Sequence, residues 1–284
     1  MTNAERSPSL AVLIDADNAS HRYAKAIFEE IAKFGEANVR RIYGDFADER
    51  LKGWREIMQS LAIVPSQQFN YTTGKNAADI TLVIEAMDLM HRGHLDGFCL
   101  VSSDSDFTRL ASRLREEGAL VYGFGERKTP EAFRNACTKF IYVEILSISN
   151  GSGEDEQRSQ ADEKVASTAT VESRKPASRA SKSSVAGKAT RSEPAKLIDE
   201  PQTRPYTAAV PLILKAMKQI EDDDGWYSLA EVGSVLSKLY PDFDSRTYGC
   251  AKLSELVTRT GQLQAKKTAA KGSLVARKPL KKVQ

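Results

Sequence analysis

The fold can be predicted from the stretch LAVLIDADNAS, residues 10–20. This stretch is apolar for five residues and then presents Asp15, Asp17 and Asn18. A short apolar run with polar ends is typical of a strand covered on both faces of a parallel sheet, although a buried helix would give the same pattern. Ligands bind outside the carboxyl ends of such strands. The alternative is that Asp17 or Asn18 only caps a helix that begins near His21.

The stretch GFCLVSSDSDFTRL, residues 97–110, repeats this layout. An apolar run of five residues precedes Asp104 and Asp106, which open a helical pattern, and either aspartate could again be an N-cap. Two strands that bring carboxylates to one sheet edge are harder to explain as caps, because crowded like charges raise each other's pKa and cost stability. A bound cation would remove that cost, so the two stretches together indicate a metal site.

The helical stretch NAADITLVIEAMDLM adds a third carboxylate, Asp79, in its first turn. The helix dipole alone would favour a negative charge there. Lys75 and Asn76 precede it and make this helix start unusually polar. Oxygen ligands without a competing His or Cys cluster select Mg²⁺ or Mn²⁺, which serve phosphoryl transfer. If the helix start meets the strand ends, five aspartates converge: Asp15, Asp17, Asp79, Asp104 and Asp106.

The 284 residues divide into three predicted parts. In residues 1–149 strand-like runs, the last of them KFIYVEIL, alternate with helical patterns, which predicts an α/β domain with a mostly parallel sheet. Residues 150–203 are rich in Ser, Ala, Lys and Glu without periodicity and predict a disordered linker. Residues 204–284 carry three helical patterns and a hairpin, the winged-helix arrangement. We expect two independent domains, flexibly joined.

Composition and charge indicate in which compartment the protein resides and how its charge is distributed. The three cysteines, Cys99, Cys137 and Cys250, are widely spaced and odd in number, which favours a reducing compartment. The polar N-terminus and the lack of a long apolar run predict a cytoplasmic protein without a membrane span. Residues 1–150 hold 18 Lys and Arg against 21 Asp and Glu, a net charge of −3, whereas residues 201–284 hold 14 against 8, or +6.

A basic C-terminal part fits a polyanionic partner, although a basic tail is often only a solvated surface. Two basic residues, Arg127 and Lys128, follow a predicted strand, where they could meet phosphate or belong to a solvated loop. The candidate residues for binding a nucleic acid are Arg127, Lys128, Lys252, Lys266, Lys267 and Lys271.

Several blocks carry a resemblance to known families. LIDADN, GKNAADITLVIEAMDLM and CLVSSDSDFTRLASRLREEGALVYGFGERKTPEAFRNAC resemble the NYN domain, a PIN-like nuclease family, in its LabA-like branch, over nearly all of residues 8–147. GWYSLAEVGSVLSKLYPDFDSRTYGCAKLSELV and the hairpin after it resemble an OST-HTH, or LOTUS, domain over about residues 205–280. The second resemblance implies RNA binding in some members and binding of a partner protein in others.

The NYN resemblance implies a PIN-like Rossmannoid sheet and metal-dependent cleavage of RNA by clustered aspartates. Carried onto this chain, it implies a catalytic metal site of Mg²⁺ or Mn²⁺ at Asp15, Asp79, Asp104 and Asp106. Asp17, Asn18 and Lys75 would be supporting polar groups.

Two other functions stay open at the level of sequence. The Asp-x-Asp spacing of DADN also occurs in haloacid-dehalogenase-like phosphatases, in which Asp15 would be the nucleophile and Asp17 an acid and base. Ala19 departs from that family, which usually has Thr or Val at the position, and SSDSDF fits the NYN pattern better. The other alternative is a catalytically inactive RNA-binding or adaptor protein. Cutting of RNA, release of phosphate from a phosphomonoester, or neither would separate the three.

Overall fold

The computed structural model describes residues 6–68, 77–150, 203–221, 225–268 and 272–278. The predicted linker lies almost wholly outside the described residues, as do Lys75, Asn76 and Lys271.

The N-terminal domain contains a six-stranded sheet whose strands all run parallel, as the sequence predicts. Their order is β3-β2-β1-β4-β5-β6. The central strand β1 is buried along its whole length because neighbouring strands and packed helices surround it. The strands are β1 (Ser9–Asp15), β2 (Glu36–Gly44), β3 (Val64–Gln67), β4 (Gly97–Val101), β5 (Leu120–Gly125) and β6 (Lys139–Tyr142).

Among the residues that the structure describes, six α-helices connect or follow these strands. They are α1 (Ala24–Ile31), α2 (Lys52–Ile57), α3 (Ala77–His91), α4 (Thr108–Glu116), α5 (Glu131–Ala136) and α6 (Val143–Asn150). Helix α3 packs on β1 and β2, and α4 packs on β5. Strand β6 ends at Tyr142 and α6 begins at once, so the second half of the strand-like run KFIYVEIL is wrong as a strand. Its apolar residues Val143, Ile145 and Leu146 are buried, as α6 packs against α1.

Helix α3 buries a different face from the one that its largest side chains would suggest. Ile80 and Ile84 are 59% and 56% exposed. The buried residues lie on the other face, and none of them is β-branched: Ala78, Leu82, Ala86 and Leu89. Small side chains let the helix lie close to the sheet, so the first turn of α3 is held near the ends of the central strands.

The C-terminal domain has the predicted three helices and hairpin. Its elements are α7 (Val210–Met217), β7 (Tyr227–Ser228), α8 (Leu229–Leu239), α9 (Leu253–Arg259), β8 (Leu263–Thr268) and β9 (Gly272–Arg277). The hairpin strands pair antiparallel, and the short β7 extends them into a three-stranded sheet of order β7-β9-β8. A hydrophobic core of its own, with Ile213, Val232, Leu236 and Val257 fully buried, holds this domain together.

Candidate functional site

The order of the strands reverses between β1 and β4, which lie side by side at the centre of the sheet. Such a switch point opens a crevice at the carboxyl ends of the strands. Strand β1 ends at Asp15, and Ser102 to Asp106 directly follow β4. The two acidic stretches of the sequence are therefore neighbours at this crevice.

Asp15 is the most buried carboxylate of the site, with 1% of its surface exposed. Its Oδ2 accepts a hydrogen bond from Ser102 Oγ at 2.7 Å. Its Oδ1 accepts from the backbone N–H groups of Asp17 and Asn18 at 3.1 and 3.2 Å. Burial raises the pKa of Asp15, while the hydrogen bonds from Ser102 and Asn18 act in the opposite direction. The side chain is thus fixed in place by three donors.

Ser102 joins the two acidic stretches through a single hydroxyl. Its Oγ donates to Asp15 and accepts from the backbone N–H of Asp104 at 3.0 Å. The sequence analysis assigns no role to Ser102. One feature of the sequence could have indicated it: Ser102 is a small hydroxyl residue between a fully apolar strand and an acidic turn. A residue at that position lies next to the end of the neighbouring strand.

The sequence left open that some of these polar residues only cap helices. That interpretation is confirmed for Asp104 and is wrong for Asp17 and Asn18. Asp104 is the N-cap of a short 3-10 turn, and its Oδ1 accepts from the backbone N–H of Asp106 at 2.9 Å. Asp17 and Asn18 do not cap the helical turn near His21, because Ser20 occupies the N-cap position there. A cap uses one carboxylate oxygen, so the second oxygen of Asp104 is compatible with a ligand role.

Asp79 lies in the first turn of α3 and is electrostatically coupled to the strand ends. Burial, followed by repulsion from four other carboxylates, raises the pKa of Asp79 to about 6. In order of effect, those carboxylates belong to Asp15, Asp104, Asp17 and Asp106. The five aspartates that the sequence singles out are therefore electrostatically coupled, since the other four all raise the pKa of Asp79.

A polar cluster on β2 anchors the helix that carries Asp79. Glu85 of α3 accepts hydrogen bonds at Oε2 from Tyr43 Oη at 2.7 Å and from Arg41 Nη1 at 2.5 Å. Burial raises the pKa of Tyr43, and the hydrogen bond to Glu85 raises it further, so the hydroxyl stays a donor. Trp54 Nε1 of α2 donates to the carbonyl of Ala19 at 3.0 Å and holds the loop after β1.

The donor set fits a hard divalent cation with an open coordination sphere. Among the described residues, no three His, Cys, Asp or Glu side chains are gathered closely enough to form a metal cage. Mg²⁺ does not need one, because it keeps several waters and binds through one or two carboxylates together with substrate phosphates. The donors at the crevice are oxygens, and their mutual repulsion at Asp79 is a cost that a cation would offset.

The candidate basic residues lie in two places. Arg127 and Lys128 follow β5, at the same end of the sheet as the aspartates. The backbone N–H of Arg127 donates to Glu144 Oε1 at 2.8 Å, and Lys128 pairs with Glu126 at 2.9 Å. The other described candidates belong to the C-terminal domain, with Lys252 before α9 and Lys266 and Lys267 exposed on β8.

Together, these features define an α/β domain of the PIN-like class with acidic residues at its switch point, followed by a small winged-helix domain. The family model of the NYN domain matches residues 9–146, and that of the OST-HTH/LOTUS domain matches residues 205–275. The chain therefore contains an NYN domain and, C-terminal to it, an OST-HTH/LOTUS domain.

Two solved structures resemble parts of the chain. A protein of unknown function from Vibrio parahaemolyticus is 17% identical with a TM-score of 0.41, over 49% of this chain and 94% of that protein. An uncharacterized protein from Nitrosomonas europaea is 34% identical with a TM-score of 0.24, over 35% of this chain and 97% of that protein. No protein with a curated description matches the chain. Among the described residues, no helix has the length and apolar character that crossing a membrane requires.

The Ser102 link leads to a prediction. Replacing Ser102 with Ala should destabilise the protein by about 1.5–3 kcal/mol, because a buried carboxylate loses a donor and the Asp104 N–H loses its acceptor. Urea unfolding would measure this. Ser103→Ala is the matched control, since Ser103 Oγ accepts a hydrogen bond from the Glu126 N–H at 2.9 Å and therefore serves a different loop. Both variants should lose stability, but only Ser102→Ala should lower RNA cleavage, by about 10–100-fold. Equal losses of cleavage would contradict a positioning role for Ser102.

Proposed function

We propose that the protein is a metal-dependent ribonuclease that cleaves phosphodiester bonds at Asp15, Asp79, Asp104 and Asp106. The observation that carries the proposal is the convergence of these aspartates at the switch point of the sheet, with the pKa of Asp79 raised by its acidic neighbours. The NYN family supports nuclease activity, and the OST-HTH/LOTUS family supports binding of RNA.

Each aspartate would have a distinct part in holding Mg²⁺ or Mn²⁺. Such an ion neutralises phosphate charge and activates water for attack. Asp15 is held rigidly by three donors and would fix the ion relative to β1. Asp79 approaches from α3, and Asp104 and Asp106 approach from the turn after β4. Asp17 and Asn18 would shape the loop that follows β1.

The basic residues would position the RNA rather than act on the reacting atoms. Arg127 and Lys128 stand at the aspartate end of the sheet and would contact backbone phosphates there. Lys252, Lys266 and Lys267 would supply phosphate contacts from the C-terminal domain, and Lys271, outside the described residues, would join them. A protein partner is the other kind of ligand that an OST-HTH/LOTUS domain would bind.

The two rival functions have different support. An inactive RNA-binding or adaptor protein is favoured by one observation, the lack of a three-ligand cage among the described residues. The phosphatase has less support, because Asp15 is 1% exposed and its oxygens accept three hydrogen bonds, which leaves it poorly placed as a nucleophile.

We also place the protein in the cytoplasm. The support is chemical: Cys99, Cys137 and Cys250 are free and buried, as expected in a reducing compartment. Burial raises the pKa of Cys137 to about 12, so this thiol is inert rather than catalytic.

One set of assays distinguishes these functions. Purified full-length protein is incubated with end-labelled single-stranded RNA, structured RNA and a small phosphomonoester, each with Mg²⁺, Mn²⁺ or EDTA. A ribonuclease cuts RNA with the metal and not with EDTA. Release of phosphate from the monoester alone would establish the phosphatase, and RNA binding without cutting under every condition would establish the inactive protein.

A further inference from the structure

The two domains are in direct contact, which no periodic pattern in the sequence predicts. Strand β6 is the last strand of the six-stranded sheet, and an edge strand presents unpaired backbone groups. The backbone N–H of Phe140 on β6 donates to the carbonyl of Pro241 at 2.8 Å. Pro241 lies in the connection between α8 and α9, residues 240–252, so the C-terminal domain covers part of this edge.

A first polar cluster lies beside this backbone contact. Asp242 accepts a hydrogen bond at Oδ2 from Tyr142 Oη at 2.7 Å and pairs with Arg134 of α5. Burial and, after it, the hydrogen bond to Asp242 raise the pKa of Tyr142 to about 12. The guanidinium of Arg204 lies over the ring of Tyr142 at 5.6 Å. Two residues of each domain therefore meet in one half-buried cluster.

A second cluster joins the same connection to α1. Arg246 Nη2 donates to Glu30 Oε1 at 2.7 Å, and Arg246 Nη1 donates to Glu30 Oε2 at 3.0 Å, a bidentate pair. Asp244 of the C-terminal domain holds the same guanidinium at 2.7 Å. Glu30 is only 5% exposed. Burial alone would raise its pKa, but hydrogen bonds from Arg246 and Lys33 outweigh burial and lower the pKa of Glu30 to about 2.

These contacts have the character of a specific interface. A buried charge is costly unless it is paired and hydrogen-bonded, and Glu30 and Arg246 meet that requirement across the two domains. Pro241, Asp242 and Arg246 fall within six consecutive residues, so one short segment supplies a backbone acceptor, an acid and a base to three matching groups. A loose tether between domains would not need such matched partners.

We propose that the OST-HTH/LOTUS domain is docked on the β6 edge of the NYN domain in solution, and that this surface, not the intervening chain, sets where the C-terminal domain sits. The docked segment lies between α8 and α9, while Lys266 and Lys267 on β8 remain exposed. If the proposed function holds, RNA bound by these lysines is presented to the aspartates from a fixed position. The docking itself does not rest on that function.

Amide ¹⁵N relaxation of the full-length protein tests the docking without any assay of activity. The amides of both domains should give the same rotational correlation time in the wild type. Arg246→Glu places an acid against Glu30 and Asp244, so the two domains should tumble separately, and the smaller C-terminal domain should then have the shorter correlation time. Lys218→Glu is the matched control, because Lys218 is exposed just after α7 and lies outside the docked connection, and it should leave the two times equal.

Two further variants test whether a change in correlation time comes from the loss of docking. Glu30→Arg in the Arg246→Glu background exchanges the charges of the pair and should restore equal correlation times. Should Arg246→Glu lose dispersed amide signals through unfolding, Asp242→Asn weakens the other cluster and should still separate the domains. Different correlation times in the wild type, no response to either interface variant, or a mass of two chains by light scattering would overturn docking within one chain.

Discussion

Replacing Asp79 with Asn is expected to lower RNA cleavage by at least about 100-fold, since residues that merely orient a metal ligand are already worth about 10–100-fold. The amide keeps the shape of the carboxylate but removes the charge that a hard cation requires. Asp104→Asn should have a comparable effect, and Asn caps the 3-10 turn about as well as Asp does. Single-turnover cleavage of a labelled RNA would measure both.

The same substitutions should leave the fold intact. Asp79 carries an unfavourable charge in the folded protein, because burial and four acidic neighbours raise its pKa to about 6. An acid with a raised pKa destabilises the folded state above its unfolded pKa, so removing the charge near neutral pH should raise stability in the absence of metal. Thermal unfolding in EDTA would show this as an unchanged or higher melting temperature.

Asp88→Asn is the matched control for Asp79→Asn, because Asp88 lies exposed on the same helix, away from the strand ends. It should change neither cleavage nor stability. If Asp79→Asn and Asp104→Asn cleave RNA as fast as Asp88→Asn does, the aspartates are caps and surface charges rather than a catalytic site.

Replacing Lys266 and Lys267 with Ala should weaken RNA binding and make it less sensitive to salt. Both side chains are exposed on β8, and Lys266 Nζ lies 3.8 Å from the centre of the Trp226 ring. Each phosphate neutralised on a single strand contributes about −0.7 to the slope of log affinity against log salt, so losing two contacts should reduce the slope by about 1.4. KM should rise more than kcat falls, because the loss is one of binding.

A double variant of the NYN domain, Lys52→Ala with Arg113→Ala, is the control for charge alone. Both residues are exposed, pair with glutamates on their own helices and are distant in sequence from the hairpin. This double variant also removes two positive charges from the protein, but it should leave the salt slope unchanged. An equal change of slope in both double variants would mean that net charge, and not the hairpin, governs affinity. The OST-HTH/LOTUS domain would then be better explained as a docking site for a protein partner.

The sequence predicts the sheet and the acidic strand ends because each leaves a local pattern. The runs that become β1 and β4 are continuous and apolar, and their polar ends place Asp15 and Asp104 without knowledge of the strand order. Features that depend on tertiary contacts leave no such pattern. Ser102 gains its role only because β4 lies next to β1, and Glu85 gains its role only because α3 lies on β2.

Tertiary contacts also explain two other features that the sequence does not predict. The run KFIYVEIL is apolar throughout, and its change from strand to helix at Val143 follows from the packing of α6 on α1, not from any breaker residue. The pairing of Glu30 with Arg246 joins residues more than 200 positions apart. Two isolated charged residues at such a distance carry no signal in a single sequence.

A titration with Mn²⁺ shows whether the aspartates form a catalytic metal site, when binding and cleavage are followed on the same protein after removal of metal with EDTA. We expect metal binding measured by calorimetry and recovery of RNA cleavage to have the same midpoint. We also expect that Asp79→Asn shifts both to higher Mn²⁺ concentration while Asp88→Asn shifts neither. RNA cleavage at full rate in EDTA, or saturable Mn²⁺ binding that restores no cleavage, would contradict a metal-dependent ribonuclease site at these aspartates.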